Sequence, residues 1–424
     1  MNQLNRRKFI EKSLKGSVSL ALAKALAGVS LFSLNTGCVK DKGKVVFQPG
    51  TATSFPYLEV AGDNYEIGQV IGSYFKDNIL GLLKGRKKWF GNLKAFVQGK
   101  GREMYKGMLL SSRKYFPHLV HEIEGISSGS GIPFDDLFLL NIKAEVEAAM
   151  SFREHEAPGC STIYLNEGKR KLIMHNEDGN EANYGGMFIV KATPPSGVTF
   201  VVMTYPGIIM GNGPAMNNAG ITQSTNYIAS LDWNIGIPRY ILGRAILEAQ
   251  SLEDALSLAT HPHRAFAYNH NLGSVQEKKI VSVEVTPTDY EIYYPDGLYF
   301  HTNHLILEST KKLPQDTGYV ESSSMLRYKV IEEEIGKIEN QQSVSEAELV
   351  SILSSHRQSP YSPCRHPQGA IRGRTLGTAI MNIEDGYVKF YFGNPCESYQ
   401  KKHNQIFKLD NNFFLQYSDK KVAS

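Results

Sequence analysis

The chain has 424 residues, 42% hydrophobic and 21% charged, the balance of an ordinary soluble globular protein of one large domain or two smaller ones. Its four cysteines are too few for a disulfide scaffold, so each needs its own explanation. The formal charge of +4 resides in residues 1–37, which hold six basic residues and one acidic one; without them the charge is −1, and the clustered positive face of a nucleic-acid binder is excluded.

Residues 1–37 read as an export signal. Arg6-Arg7 is a twin-arginine pair, and residues 18–34 form an apolar stretch, broken by Lys24, that is too short and interrupted for a spanning helix. Asn35-Thr36-Gly37-Cys38 is an imperfect lipobox, which leaves open a lipid anchor on Cys38 or a signal in which Cys38 is incidental. The expected location is outside the cytoplasm, either periplasmic or as a membrane-anchored lipoprotein. Residues 38–56 lack periodicity and read as a tether.

Asp63-Asn64-Tyr65-Glu66 is a capping pattern, and Ile67, Ile71, Tyr74, Phe75 and Ile79 follow at helical spacing. A second helical block spans 105–147, interrupted at 127–133 by SSGSGIP, whose glycines and proline predict a loop. Beyond Gly159 the period changes: β-branched and aromatic runs at 162–165, 171–175, 187–191 and 198–204 predict strands. Helix returns over 238–259 with Ser251 as an internal cap, strands over 280–285 and 290–294, helices over 324–338 and 345–354, and strand over 376–392. Blocks in this order predict an α+β fold of layered antiparallel sheets covered by helices. Residues 57–159 form its helical segment and 160–424 the remainder of one domain.

The chemistry gathers at EAPGCSTIYL, residues 156–165. A thiol placed after a Pro-Gly turn can attack the preceding glycine carbonyl, because glycine leaves the approach open. If Cys160 attacks Gly159 and the thioester is hydrolysed, the chain is cut and Cys160 gains a free α-amino group. With reference pKa values of about 7.7–8.0 for the amine and about 8.5 for the thiol, nucleophile and general base then share one residue.

Residues 157–165 resemble the acyl-CoA:6-aminopenicillanate acyltransferase family of N-terminal-nucleophile (Ntn) hydrolases, itself similar to the choloylglycine hydrolases. Further matching pieces follow in the family's order: YEIGQVIGSYFKDNI (65–79), HEIEGISSGSGIPFDDLFLLNIKAE (121–145), MNNAGITQSTN (216–226), HTNH (301–304), SSSMLRY (322–328) and GNPCE (393–397). The resemblance implies a four-layer αββα sandwich, with Cys160 as nucleophile and Gly159 as the residue before the cut. Asp178, in the Asn-x-Asp pattern at 176–178, would hold the new α-amino group. Asn271 matches the oxyanion asparagine, with Asn269 two residues away as the alternative; Asn226 matches a second pocket asparagine, and Arg327 a pocket arginine or a plain ion-pair partner.

The implied activity is cleavage or exchange of a linear N-acyl amide through a thioester on Cys160, with hydrolysis favoured over acyl transfer. The partner is a small-molecule substrate, the two chains stay associated after the cut, and no cofactor is implied. No catalytic metal is expected either, since His261, His263, His270, His301 and His304 do not form the helical His pair of a zinc protease. Two alternatives stand beside this reading: an uncut Cys-His hydrolase that uses a histidine such as His304, and a non-catalytic lipoprotein that binds an acylated ligand. Cys364 and Cys396 are available to pair in an exported protein.

Overall fold

The computed structural model describes residues 45–151 and 159–418. The export signal at 1–37, Cys38 and the Ala157-Pro158 turn lie outside the described residues. In chain order the strands are β1 (Val46–Gln48), β2 (Tyr57–Ala61), β3 (Cys160–Glu167), β4 (Arg170–Asn180), β5 (Phe188–Thr193), β6 (Phe200–Thr204), β7 (Ala215–Asn217), β8 (Ile221–Tyr227), β9 (Tyr268–Ser274), β10 (Lys279–Val285), β11 (Tyr290–Tyr293), β12 (Gly297–His301), β13 (Gly373–Asn382), β14 (Tyr387–Phe392), β15 (Asn404–Leu409) and β16 (Leu415–Ser418). They form a nine-stranded sheet ordered β1-β2-β5-β6-β7-β8-β9-β10-β11 and a seven-stranded sheet ordered β12-β3-β4-β13-β14-β15-β16. The expected antiparallel pairing holds with one exception. β2 and β5 run parallel, because the helices of residues 64–149 carry the chain over before it re-enters the sheet.

Strand alternation sorts the side chains into layers. Val201, Met203 and Ile189 of the first sheet meet Tyr164, Ile173, Met381 and Phe390 of the second in the central core. The other face of the first sheet, with Leu58, Val60 and Phe188, packs on Ile67 and Ile71 of the helix Asn64–Tyr74 and on Phe75, which caps it. The other face of the second, with Ile163, Leu165 and Met174, packs on Ile331, Ile335, Leu349 and Leu353 of the helices Met325–Gly336 and Glu346–Leu353. The result is the helix-sheet-sheet-helix sandwich expected. Among the described residues no helix is long and apolar enough to cross a membrane.

Two expectations are corrected. The SSGSGIP stretch is not a loop throughout: the helix Pro117–Ser130 runs into it, and only Gly131 turns left-handed to end it. Its Gly129, with Gly125 one turn earlier, serves a helix crossing. A Cβ at Gly125 would lie 2.1 Å from the Tyr65 carbonyl oxygen and one at Gly129 2.0 Å from that of Gln69, while Gly68 and Gly72 face the Glu122 and Ile126 carbonyls at 2.0 and 2.3 Å in return. Two glycines four apart on each helix thus let the backbones touch. The tether, in turn, enters the fold early: β1 pairs with β2, and the Phe55 main chain is clasped by the Gln405 amide. A three-residue strand held by main-chain bonds leaves no periodic trace.

At the crossing, a Gly125→Ala substitution places a methyl group inside a carbonyl contact. It should lower stability by about 1–3 kcal/mol or more in chemical denaturation. Gly81→Ala, where a Cβ meets nothing within 4 Å, should be neutral or stabilising. Equal denaturation midpoints for the two variants would contradict the crossing as described.

Candidate active site

Cys160 opens β3, its Cα opposite Glu177 of β4, and is nearly buried at 4% exposure. β3 has β12 on its other side, with His301 opposite Thr162. Continued two residues past the strand end, that register sets Asn303 opposite Cys160. The Asn303 side-chain oxygen accepts the Cys160 main-chain N–H at 2.8 Å, and its amide donates to the Tyr227 carbonyl at 2.7 Å.

The outer helical layer grips the same peptide from the other side. Arg327 is fully buried and donates through Nη1 to the Cys160 carbonyl at 2.5 Å and to Ser161 Oγ at 3.1 Å, and through Nη2 to Asn303 Oδ1 at 2.6 Å. Arg365 donates to Ser323 at 2.5 Å and lies 3.2 Å from Asp178 Oδ2. The Gly159 carbonyl accepts the Asp178 main-chain N–H at 2.8 Å. A Cβ on Gly159 would stand 2.7 Å from Arg365 Nη2 and 3.0 Å from Arg327 Nη2, both guanidiniums being tied down by hydrogen bonds. Only glycine fits between them.

The Cys160 side chain lies with the inward-facing residues of β3 and β4. One ligating atom each of Cys160, His175 and Glu177 fall within 4.8 Å of one another. Thr162 donates to Asn226 Oδ1 at 2.9 Å, so the 2.9 Å contact between His175 Nδ1 and Thr162 has the ring nitrogen as donor. His175 Nε2 lies 3.2 Å from Glu177, which also accepts from Tyr205 at 2.6 Å. Both ring nitrogens are engaged, which suits a proton relay better than a metal site. Burial pushes the Cys160 thiol well above its ordinary range, and the Glu177 and Asp178 carboxylates add to the rise; Arg327 and a backbone hydrogen bond from Tyr227 oppose it. These surroundings favour the neutral thiol over the thiolate.

Of the residues named from sequence, Gly159, Cys160, Asp178, Asn226 and Arg327 come together. Asp178 accepts from Thr375 at 2.7 Å and faces Arg365, and its carboxyl is raised by burial against the pull of Arg365 and Arg327. The Asn226 amide nitrogen is buried without a hydrogen-bond partner. Asn271 lies apart: its amide donates to Ser224 at 2.8 Å, its oxygen accepts from Tyr164 and Asn269, and Asn269 is tied to Ser282 in the same buried network. The histidine beside the thiol is His175; His304 bonds Ser324 at 2.8 Å, and burial holds its imidazole down at about 4. Among the described residues, His261, His263, His270, His301 and His304 join no ligand cluster. Asn303, Arg365 and His175 carry no signal of their own in the sequence, although HTNH and the Asn-x-Asp pattern at 176–178 do; strand register was the missing signal.

The thiol borders a pocket with about 820 Å³ of atom-free space, part of it open to solvent. Trp89, Tyr205, Tyr227, Tyr240 and Tyr268 line it together with Arg86, Lys143, Arg239, Glu147 and Glu177, and Ala144 is its one aliphatic side chain among the described residues. Arg239 is boxed by the rings of Tyr227, Tyr240, Phe266 and Tyr268 at 4.4–5.3 Å.

Fold and site together give a two-sheet α+β sandwich with a buried cysteine at the head of an inner strand. The profile of the acyl-coenzyme A:6-aminopenicillanic acid acyl-transferase family matches residues 165–397, just over half of the chain, and the chain belongs to that family. It is 29% identical over 218 residues to the beta-alanyl-dopamine/carcinine hydrolase of Drosophila melanogaster, a match covering 47% of this chain and 56% of that protein, so it spans little more than half of the relative's length. A mutant conjugated bile acid hydrolase from Clostridium perfringens superposes with a TM-score of 0.38 at 13% identity over 62% of this chain and 97% of its own. For penicillin V acylase from Agrobacterium tumefaciens the values are 0.31, 10%, 61% and 98%.

Because the Glu177 charge helps hold the thiol neutral, Glu177→Gln should lower the Cys160 pKa. Alkylation of Cys160 by iodoacetamide near pH 8, followed by peptide mass spectrometry, should then be faster than in the wild type. An unchanged or slower rate in a folded variant would contradict the electrostatic coupling.

Proposed function

We propose that the protein is a self-processing cysteine amidohydrolase. The observation that carries this reading is the clamp on the Gly159-Cys160 peptide. Its carbonyl is polarised by the Asp178 N–H, its nitrogen is held by Asn303, and no side chain hinders attack on the glycine carbon. Attack by Cys160 Sγ forms the C–S bond of a thioester while the C–N bond breaks, and the thiol proton passes to the departing nitrogen. Water then hydrolyses the thioester, leaving a Gly159 carboxylate and a free thiol beside a free amine.

The Asn303 oxygen, already an acceptor for that nitrogen, orients the amine after the cut, with the Asp178 carboxylate as the second anchor. The amine takes the thiol proton as Sγ attacks the substrate carbonyl and returns it to the leaving amine; a water molecule then releases the acid from the thioester. The charge that develops on the carbonyl oxygen is met by the Asn226 amide, a buried donor with no partner in the resting state, and by the Tyr227 backbone. Asn226 therefore replaces Asn271 as the preferred oxyanion donor, because the Asn271 amide is already spent on Ser224.

A pocket of aromatic and charged side chains with one aliphatic residue favours a compact amide that has an aromatic ring and a charged end, and disfavours a long acyl chain. β-Alanyl-dopamine, which joins a cationic β-alanyl group to an aromatic amine, has that format. The pocket's opening to solvent favours water over an acceptor amine. The twin-arginine pair Arg6-Arg7 supports export of the enzyme.

Wild-type protein should hydrolyse β-alanyl-dopamine or a related aryl-containing amide in preference to N-palmitoyl amides, and Cys160→Ala should be inactive. Preference for the palmitoyl amides would overturn the substrate class. Asn226→Ala should lower kcat by about 10²–10³ with KM little changed. Asn271→Ala should act on stability through Ser224 and Tyr164, leaving the rate of the folded fraction within a few-fold. The reverse pattern would restore Asn271 to the oxyanion hole.

A further inference from the structure

Away from the thiol, four side chains of metal-ligating type converge: His356, Cys364, His366 and Cys396, with one ligand atom of each within 4.8 Å of all the others. The two sulfurs are 3.6 Å apart, and His366 Nε2 lies 3.7 Å from Cys364 Sγ and 3.6 Å from Cys396 Sγ. A disulfide bond is about 2.05 Å long, so these are two separate thiols. Zinc bonds of about 2.3 Å to sulfur and 2.0–2.1 Å to nitrogen give a tetrahedron with S···S edges of about 3.8 Å and S···N edges of about 3.6 Å. The three measured edges match that figure without movement of the chain.

We propose that these four residues form a structural zinc site of the Cys2His2 type. Two thiolates and two imidazoles select a tetrahedral, borderline-soft divalent ion, and four protein ligands leave no position for a reacting water. Binding releases the two thiol protons to solvent, and the thiolate charges balance that of the ion. The surroundings already include an outer-shell partner: Asn394 Nδ2 donates to Cys364 Sγ at 3.2 Å and to the Arg365 carbonyl at 2.6 Å. His356 is the exposed ligand that closes the site, its ring 4.9 Å from that of His366.

The position gives the ion a purpose. Arg365 lies in sequence between the ligands Cys364 and His366, and it is the residue that faces Asp178 and crowds Gly159. Zinc ties the segment 356–366 to the short helix Pro395–Ser398 and so fixes the main chain from which Arg365 reaches the cleavage peptide.

The full chain, purified under reducing conditions, should carry close to one zinc per chain by elemental mass spectrometry. Cobalt exchanged into it should show thiolate charge-transfer and tetrahedral ligand-field bands. Cys396→Ser should lose the metal and the charge-transfer band, whereas Cys160→Ala should keep both. Should Cys396→Ser fail to fold, His356→Ala, altered at an exposed position, should still fold and bind zinc at least about tenfold more weakly in competition with a chromophoric chelator. Three results would overturn the proposal: no zinc or cobalt binding by reduced wild-type protein, full zinc retained in Cys396→Ser, or a Cys364–Cys396 disulfide as the native state in peptide mapping.

Discussion

The buried guanidinium of Arg327 holds the start of β3 in place, and the rest of the site is arranged around that anchor. It reaches the Cys160 carbonyl, Ser161 Oγ and the Asn303 side-chain oxygen at once, so it fixes both the main chain of Cys160 and the group that binds its nitrogen. Burying a guanidinium is costly unless its donors are used, and here four oxygens, that of Ser323 included, take the Nη donors while Nε is left without a partner. Desolvation and the nearby Arg365 pull the pKa of the Arg327 guanidinium below its ordinary value. That positive charge beside Cys160 opposes the rise in thiol pKa caused by burial and by Glu177 and Asp178.

Alternation along β3 and β4 divides the labour. Cys160, Thr162, His175 and Glu177 sit together on the inner face, which opens on the pocket between the sheets. Ser161, Asn176 and Asp178 belong to the opposite face, where the outer layer supplies Arg327, Arg365 and the carbonyls of Leu353 and Pro363. The thiol thus faces the pocket on one side while its main chain is gripped from the other. The two duties do not compete for space.

Much of the fold was legible because its strands and helices bury ordinary apolar faces: Ile163 and Leu165, Ile173 of β4, and the caps at Asp63, Ser251 and Ser345 all carry local signals. β8 and β9 were not legible. Their sequences, ITQSTNY and YNHNLGS, are polar yet fully buried, since Ser224, Asn226, Asn269 and Asn271 face partners across the strands. Hydropathy reads such segments as loops. Gly129, inside SSGSGIP, points to a loop by sequence alone because helix contact through main-chain carbonyls leaves no pattern within one helix. Gly159, Cys160, Asp178, Asn226 and Arg327, which the structure brings together, carry motif signals in the sequence. Asn303 and Arg365 depend on register and on long-range packing, and Asn269 and Asn271, two apart on one strand, look alike until their partners are known. Cys364 and Cys396 were matched to each other, while the two histidines that complete their cluster lie eight residues before and two after Cys364.

The central claim is that the chain manufactures its own general base by cutting before Cys160. Intact-mass and N-terminal peptide analysis of catalytically active wild-type protein tests it directly. The account predicts two associated chains, the larger beginning at Cys160 with a free α-amino group, and a single uncut chain in Cys160→Ala. Full activity from wild-type protein whose Gly159-Cys160 bond is intact would contradict it.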